Sequence, residues 1–347
     1  MKNIPLLLAL VGAATTAHAQ SSVTLTGTVD IGVNYAKGSE ASRTQMMSGG
    51  NATSKLVFRG QEDLGGGMYA MFWLESGLNA DSGIFQPTNT NNQPSGATPA
   101  ATGLTFNRRS IVGIGGNWGA IHLGREWSPT YVMYTSKFDP FALGAGLALN
   151  YSGGINPNQL RASNAIAYLS PTVLGGFSLN AQHWRGENLS GTATAGDGTG
   201  GGARISYDNG PFSAAAVLLR TKYAAGDAIY RVVGTAYDFG FARFSFNLNK
   251  DQQGTLKQDG WMAGVTVPVG ETQLRASYSS IKSNQTGEPE GKKLAVGAVY
   301  NLSKRTALYT TVASIRNSGG ASFTFTGATT AVNRSATAID LGLRHNF

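Results

Sequence analysis

Ile339-Asp340-Leu341-Gly342-Leu343-Arg344-His345-Asn346-Phe347 closes the chain. Positions 339, 341, 343, 345 and 347 share one mostly apolar face, while Asp340, Gly342, Arg344 and Asn346 share the other, the period of two that marks a β-strand between unlike surroundings. One face suits lipid and the other water. The opposite end reads as an export signal. Lys2 gives a small positive start, residues 4–14 an apolar run, and Ala17-His18-Ala19 a small-x-small cleavage site before Gln20. That run is too short to span a membrane and has no stop-transfer flank. The two ends together lead to a signal peptide over residues 1–19, cleaved on export, and a single outer-membrane β-barrel domain over residues 20–347.

Composition agrees with strands. Among 347 residues there is no cysteine, which removes disulfides, thiolate nucleophiles and Cys-based metal sites. Beyond the signal, glycine, serine, threonine and charged residues interrupt every apolar run before it reaches the length of a membrane helix, so the chain would cross a membrane as strands. The 47 glycines, 13 tyrosines and 15 phenylalanines fit many strands, tight turns and interfacial aromatics. Without Lys2, 26 of the 27 basic residues remain against 19 acidic ones, a net of +7. Arginines spread through alternating strands of an exported chain point to a basic cavity and away from a nucleic-acid surface.

Segments such as Phe177-Ser178-Leu179-Asn180-Ala181-Gln182 and Arg243-Phe244-Ser245-Phe246-Asn247-Leu248-Asn249 alternate between an apolar and a polar face. Their connections alternate in length. Short ones fall at 63–67, 115–119, 170–176, 208–211, 238–240, 268–271 and 301–305, and longer polar ones at 37–52, 80–103, 127–160, 185–199, 223–227, 251–257, 283–291 and 316–334. Seven short and eight long connections imply about sixteen antiparallel strands, with turns on the periplasmic side and loops outside. A soluble β-sandwich would alternate faces too, but not in this short-long rhythm.

Read together, SSVTLTGTVDIGVNY (21–35), SKLVFRGQEDLGGG (54–67), MYAMFWLESGLN (68–79), NRRSIVGIGGNWGAIHLGRE (107–126) and the ending LGLRHNF resemble the general porins of Gram-negative outer membranes, above all the neisserial and β-proteobacterial type. The resemblance spans essentially the whole mature chain. It implies a sixteen-stranded homotrimeric barrel in outer-membrane lipid and lipopolysaccharide, with the third external loop folded into the lumen. It also implies passive passage of small hydrophilic solutes without a cofactor, and insertion by the barrel-assembly machinery through the C-terminal strand at Leu341, Leu343 and Phe347.

The residues locate a filter. Residues 127–160 form the longest connection and carry Phe138, Phe141, Leu143 and Leu147, too apolar for a freely solvated loop, so they should pack against the inner wall. With Leu56 and Phe58 facing outward, alternation places Lys55, Arg59 and Gln61 in the lumen. The resemblance adds Arg108 and Arg161 as lumenal arginines of the fourth and sixth strands, and Arg109 would then point outward. From Glu126 to Leu160 the only acids are Glu126 and Asp139, with Lys137 two residues before the latter. A constriction built from Lys55, Arg59, Arg108, Arg161, Lys137 and Asp139 is net positive and should prefer inorganic and organic anions. Arg125 shares parity with Ile121 and Leu123. The resemblance places an arginine here at the trimer contact, with Asp81 of a neighbour's second loop as its candidate partner.

Enzymatic chemistry finds no support in the sequence. His122, His183 and His345 lack an evident Ser or Asp constellation. Gly113-Ile114-Gly115-Gly116 has no following helix for a dinucleotide, and Asp197-Gly198-Thr199-Gly200-Gly201 is a single copy of a calcium-repeat pattern, so neither cofactor nor metal is expected. The alternative to general diffusion is a channel specific for a sugar or an organic anion, for which Trp127, Tyr131, Tyr134 and Phe138 offer an aromatic track. An adhesin or a barrel enzyme is a more distant reading.

Overall fold

Apolar residues recurring at every second position, punctuated by glycine, proline and asparagine turns, leave this chain extended almost throughout. The computed structural model describes residues 22–94, 103–142 and 158–347. The expected signal peptide, Leu143 and Leu147 lie outside those residues.

Among the described residues, eighteen extended segments make sixteen wall strands. The first is β1, Ser22–Lys37; β2 comes in two pieces, Ser42–Ser48 and Lys55–Gly65; β3 is Met68–Asn79; β4 is Arg109–Gly116; and β5 is Gly119–Trp127. Next come β6, Arg161–Leu169; β7, Phe177–Trp184; β8, Gly200–Asn209; β9, Phe212–Thr221; and β10, Ala228–Asp238. The last six are β11, Arg243–Gln253; β12, Leu256–Val269; β13, Thr272–Ser283; β14, Glu290–Asn301; β15, Thr306–Ser318; and β16, Ala336–Asn346. The remaining segment, Ile84–Phe85, pairs only with the end of β3.

Each strand lies antiparallel to its sequence neighbours, and β1 returns to β16 from Thr28↔Asn346 to Lys37↔Thr337. The sheet is therefore closed and has no edge, the condition for placing backbone amides in lipid. At the seam the Phe347 amide donates to the Gly27 carbonyl at 3.1 Å, and the Gly27 amide to the Phe347 carbonyl at 2.9 Å. Gly27 is required there, since a Cβ would lie 2.3 Å from the Phe347 ring. The exposed Leu341 and Leu343 continue the same outer face.

All seven short connections are the turns of one end of the barrel. At the other end two expected loops are tight hairpins: β11 and β12 run on to Gly254 and Thr255, and residues 222–227 link β9 to β10. The stretch 37–52 likewise contains Ser42–Ser48, paired with β1 from Lys37↔Ser42 to Ile31↔Ser48. These strand ends rise beyond the apolar band, lose their apolar alternation and so read as loop.

Outward positions such as Val23, Val112, Val233 and Val296 are exposed, whereas Asp30, Glu75, Asn247 and Asp340 are buried inside. Aromatic pairs lie on both borders of the outer face, Tyr237 with Phe239 (4.5 Å) and Phe177 with Tyr207 (4.7 Å) near the turns, Trp261 with Tyr278 (5.5 Å) nearer the loops.

The connection after β5 enters the lumen through the 3₁₀ turn Pro129–Tyr134. Met133, Tyr134 and Phe138 pack on Trp184, Leu219, Tyr230, Val232 and Met262, and Phe141 packs on Ala295, Ala313, Ile315 and Phe325. The apolar character of this loop is thus spent on the inner wall, each buried phenylalanine contributing roughly 1.5–3 kcal/mol. Asn247 Nδ2 adds a hydrogen bond to the Phe138 carbonyl at 2.8 Å.

Candidate functional site: a basic column beside the third loop

The register of β2, β3 and β4 builds the site. Lys55↔Gly77, Val57↔Glu75 and Arg59↔Trp73 are opposed across β2 and β3, and Trp73↔Ile111 and Glu75↔Arg109 across β3 and β4. Because cross-strand partners share a face, Lys55, Arg59, Trp73, Glu75 and Arg109 all look into the lumen. A bulge between Gly124 and Glu126 in β5 then shifts the alternation. It depends on Gly124, which has φ +123° and room for a Cβ only 2.2 Å from the Ser110 carbonyl oxygen.

Rings and guanidinium groups interleave. Trp73 and Trp127 meet edge-on at 5.7 Å, and Trp127 stacks on Tyr131 at 4.7 Å with an interplanar angle of 3°. Arg109 lies 4.9 Å from the Trp73 centroid and 4.3 Å from that of Trp127, Arg59 covers Trp73 at 5.2 Å, and Arg161 covers Tyr131 at 5.8 Å. Such contacts fix the planes of the cations at about 0.5–2 kcal/mol each.

Two carboxylates tie the column together. Arg108 Nε donates to Glu75 Oε1 at 2.5 Å, Trp73 Nε1 donates to Glu75 Oε2 at 3.1 Å, and Lys55 Nζ lies 3.9 Å from Oε1. Arg109 Nη2 donates to Glu126 Oε2 at 2.6 Å, His122 Nδ1 lies 2.7 Å from the same oxygen, and Glu126 Oε1 accepts the Trp127 amide at 2.6 Å. Five cations, Lys55, Arg59, Arg108, Arg109 and Arg161, thus face two carboxylates, Glu75 and Glu126, a net of +3. Arg59 is exposed to the lumen, while Arg108 and Arg109 are buried.

Arg109 corrects an expectation, since it turns inward. Arg108 precedes the first residue of β4 and reaches Glu75 from there, so the two arginines do not alternate as strand neighbours would. Glu75 was legible, because in MYAMFWLESGLN it shares the parity of Trp73. The Arg109, His122 and Glu126 cluster was not, since the bulge breaks the period on which a parity argument depends.

Across the lumen Lys137 Nζ donates to Asp208 Oδ1 at 2.5 Å. The Asp139 carboxylate turns inward and caps the loop backbone, accepting the Phe141 amide at 2.9 Å. Burial pushes this carboxyl above the usual range, against the pull of the Phe141 amide. Arg125 donates to the carbonyls of Asn107 (2.5 Å) and Asn89 (2.8 Å) and to Ser163 Oγ (2.7 Å), clamping the second loop of its own chain. Asp81 stands exposed at the turn after β3. Tyr69, Arg109, His122, Trp127, Tyr131 and Arg204 line a cavity of about 650 Å³ beside the column.

The profile of the Gram-negative porins matches residues 7–320. Outer membrane porin protein 32 of Delftia acidovorans is 34% identical over 100% of both chains, and the major outer membrane protein P.IB of Neisseria lactamica is 26% identical over 98% of this chain and 99% of its own. The solved structure of an anion-selective porin from Comamonas acidovorans superposes with a TM-score of 0.81 at 32% identity, covering 94% of this chain and 100% of that one.

Proposed function

The chain belongs to the Gram-negative porin family, and on that premise we propose that it forms a trimeric general-diffusion channel of the outer membrane whose basic column prefers small anions. The observation that carries this reading is the net +3 of the column where the third loop enters the lumen. A ring of guanidinium groups in a narrowed, partly desolvated passage lowers the energy of an anion and raises that of a cation. The third loop supplies the narrowing, Lys137 and Asp139 holding its far side.

Glu75 and Glu126 give the arrangement its rigidity. Each carboxylate shares its oxygens among several donors, so the guanidinium planes are held in place while the cations remain in excess. The relatives are channels and not enzymes, and transport follows as passive diffusion. In a trimer Arg125 shapes the second loop from within, and Asp81 is the carboxylate offered to a neighbour. The C-terminal strand, with Leu341, Leu343 and Phe347 outward, is the segment read by the assembly machinery, and lipid with lipopolysaccharide covers the outer band.

A second reading has an observation in its favour. The stacked Trp127 and Tyr131, with Trp73 set edge-on beside them and the adjoining cavity, suit an organic anion with a flat apolar part. Single-channel recording of refolded protein separates the two. Triplet current steps proportional to salt support general diffusion by a trimer; block by millimolar benzoate, with acetate inert, supports the specific channel; no conductance contradicts both.

A further inference from the structure

Beneath the third loop, three side chains converge on one oxygen. Glu126 Oε2 accepts Arg109 Nη2 at 2.6 Å and stands 2.7 Å from His122 Nδ1, while Nη2 and Nδ1 are 3.2 Å apart. Residues four apart on a regular strand are separated by about 13 Å, and the bulge after Gly124 bends β5 between His122 and Glu126 so that they meet. The imidazole lies over Gly113, its partner on β4, where a Cβ would come within 2.6 Å of the ring's Cδ2. The ring is buried and its plane is fixed from both sides.

This geometry assigns the ring's hydrogen. A guanidinium only donates and a carboxylate only accepts. Were Nδ1 bare and accepting from Arg109, its lone pair would face a carboxylate oxygen at 2.7 Å. Nδ1 therefore carries the hydrogen and donates it to Glu126, which leaves Nε2 bare in the neutral ring. No described residue hydrogen-bonds Nε2, and the ring lines the cavity of about 650 Å³. Water and solutes in that cavity are the partners open to it.

The charged and titratable groups around the ring are few. Glu126 on β5 and Arg109 on β4 touch it, and Tyr69 of β3, Tyr131 of the third loop and Arg204 of β8 share its cavity. On β6 the residue opposite is Ala167. His183 and His345 are exposed on outward positions, so among the described residues His122 is the one histidine inside the barrel. Histidine is the side chain whose charge ordinarily changes between pH 5 and 8. A proton on Nε2 takes the column from +3 to +4 and turns an acceptor into a donor at the cavity, and both changes favour an anion. Glu126 already holds the hydrogen of Nδ1, so the charge arrives without a change of partner.

We propose that His122 is a specificity-determining residue of the channel: in mild acid its Nε2 takes a proton from the cavity and strengthens the preference for anions. The inference rests on the anion preference of the basic column and adds to it a dependence on pH that the arginines alone do not supply.

The test is the zero-current potential of the refolded channel in planar bilayers under a KCl gradient, recorded at pH 8 and at pH 5, the limits between which histidine ordinarily titrates. The anion-to-cation permeability ratio of the parent should rise at least about twofold in acid. His122→Asn, whose amide can donate to Glu126 as Nδ1 does but takes no proton, should lose that rise, and His122→Arg, charged throughout, should show none either. A rise that persists in His122→Asn belongs to carboxylates such as Asp139 or Asp208 and overturns the proposal. Nitrogen-15 spectra of the histidine-labelled channel give a second reading. The ring signal absent from either variant should carry its hydrogen on Nδ1 at pH 8, and a hydrogen on Nε2 instead would overturn the assignment. A parent without anion preference at pH 8 overturns the column itself, whereas an anion-selective parent whose ratio ignores pH overturns only the role of His122.

Discussion

Two arcs of one lumen meet the third loop in opposite ways. On β2 to β6 the wall presents Lys55, Arg59, Glu75, Arg109 and Arg161, and contact with the loop runs through rings and charges: Arg109 on Trp127, Arg161 on Tyr131. On β7 to β15 the wall presents Trp184, Leu219, Val232, Met262 and Ala295, and the loop is held by burial of Met133, Phe138 and Phe141. The difference teaches a division of labour. Apolar packing supplies most of the burial that positions the loop, which leaves the opposite arc free to carry an excess of cations. Selectivity and mechanical docking should therefore respond to different substitutions.

The largest effect is expected on the docking arc. Phe138→Ala removes a fully buried ring and should cost about 4 kcal/mol locally. With the loop released, single-channel conductance should rise while heat stability of the refolded protein falls. An unchanged conductance would mean that Phe138 does not hold the loop.

Next comes the carboxylate at the centre of the column. Glu75→Gln leaves Arg108 and Lys55 buried or half-buried with no anionic partner, a loss of about 3 kcal/mol for a broken buried pair. Melting should drop, and the column, one negative charge poorer, should favour anions further. A shift of the zero-current potential toward cations would invert the sign assigned to this arc.

Trp127→Leu is a smaller perturbation of the same arc, costing about 1–2 kcal/mol from the lost stacking and cation contact. Selectivity should weaken without loss of the docked loop, so conductance should move less than in Phe138→Ala. The reverse ranking would merge the two arcs into one device. Smallest of all is Lys137→Gln. Its pair with Asp208 is more than a third exposed on both sides, so the change in stability should stay below about 1 kcal/mol. A melting shift as large as that of Glu75→Gln would show that this exposed pair anchors the loop.

The sequence disclosed the parts of this arrangement that obey a period. The closing strand, the seven turns, the lumenal Lys55 and Arg59 and the inward packing of Phe138 and Phe141 follow from alternation and from apolar side chains in a long connection. Arg109 was misplaced because Arg108 sits just before β4, where backbone direction and not parity decides the side. His122, Glu126 and Arg125 were obscured by the bulge at Gly124, which inserts a residue into one strand and not its neighbour. The polar ends of β11 and β12 read as loop because strand residues above a membrane have water on both faces and no reason to alternate. Each failure thus lies where two-sided surroundings or a regular ladder ceased.

The central claim is that the basic column sets the sign of selectivity, and the zero-current potential across a planar bilayer under a KCl gradient tests it most directly. The parent channel should give a potential of anion-selective sign, and the Arg108→Gln/Arg161→Gln variant, with Arg59→Gln as the exposed control that leaves the buried pairs intact, should move it toward the cation-selective side. A potential unchanged in both variants, measured on channels that still insert as triplets, would contradict the account.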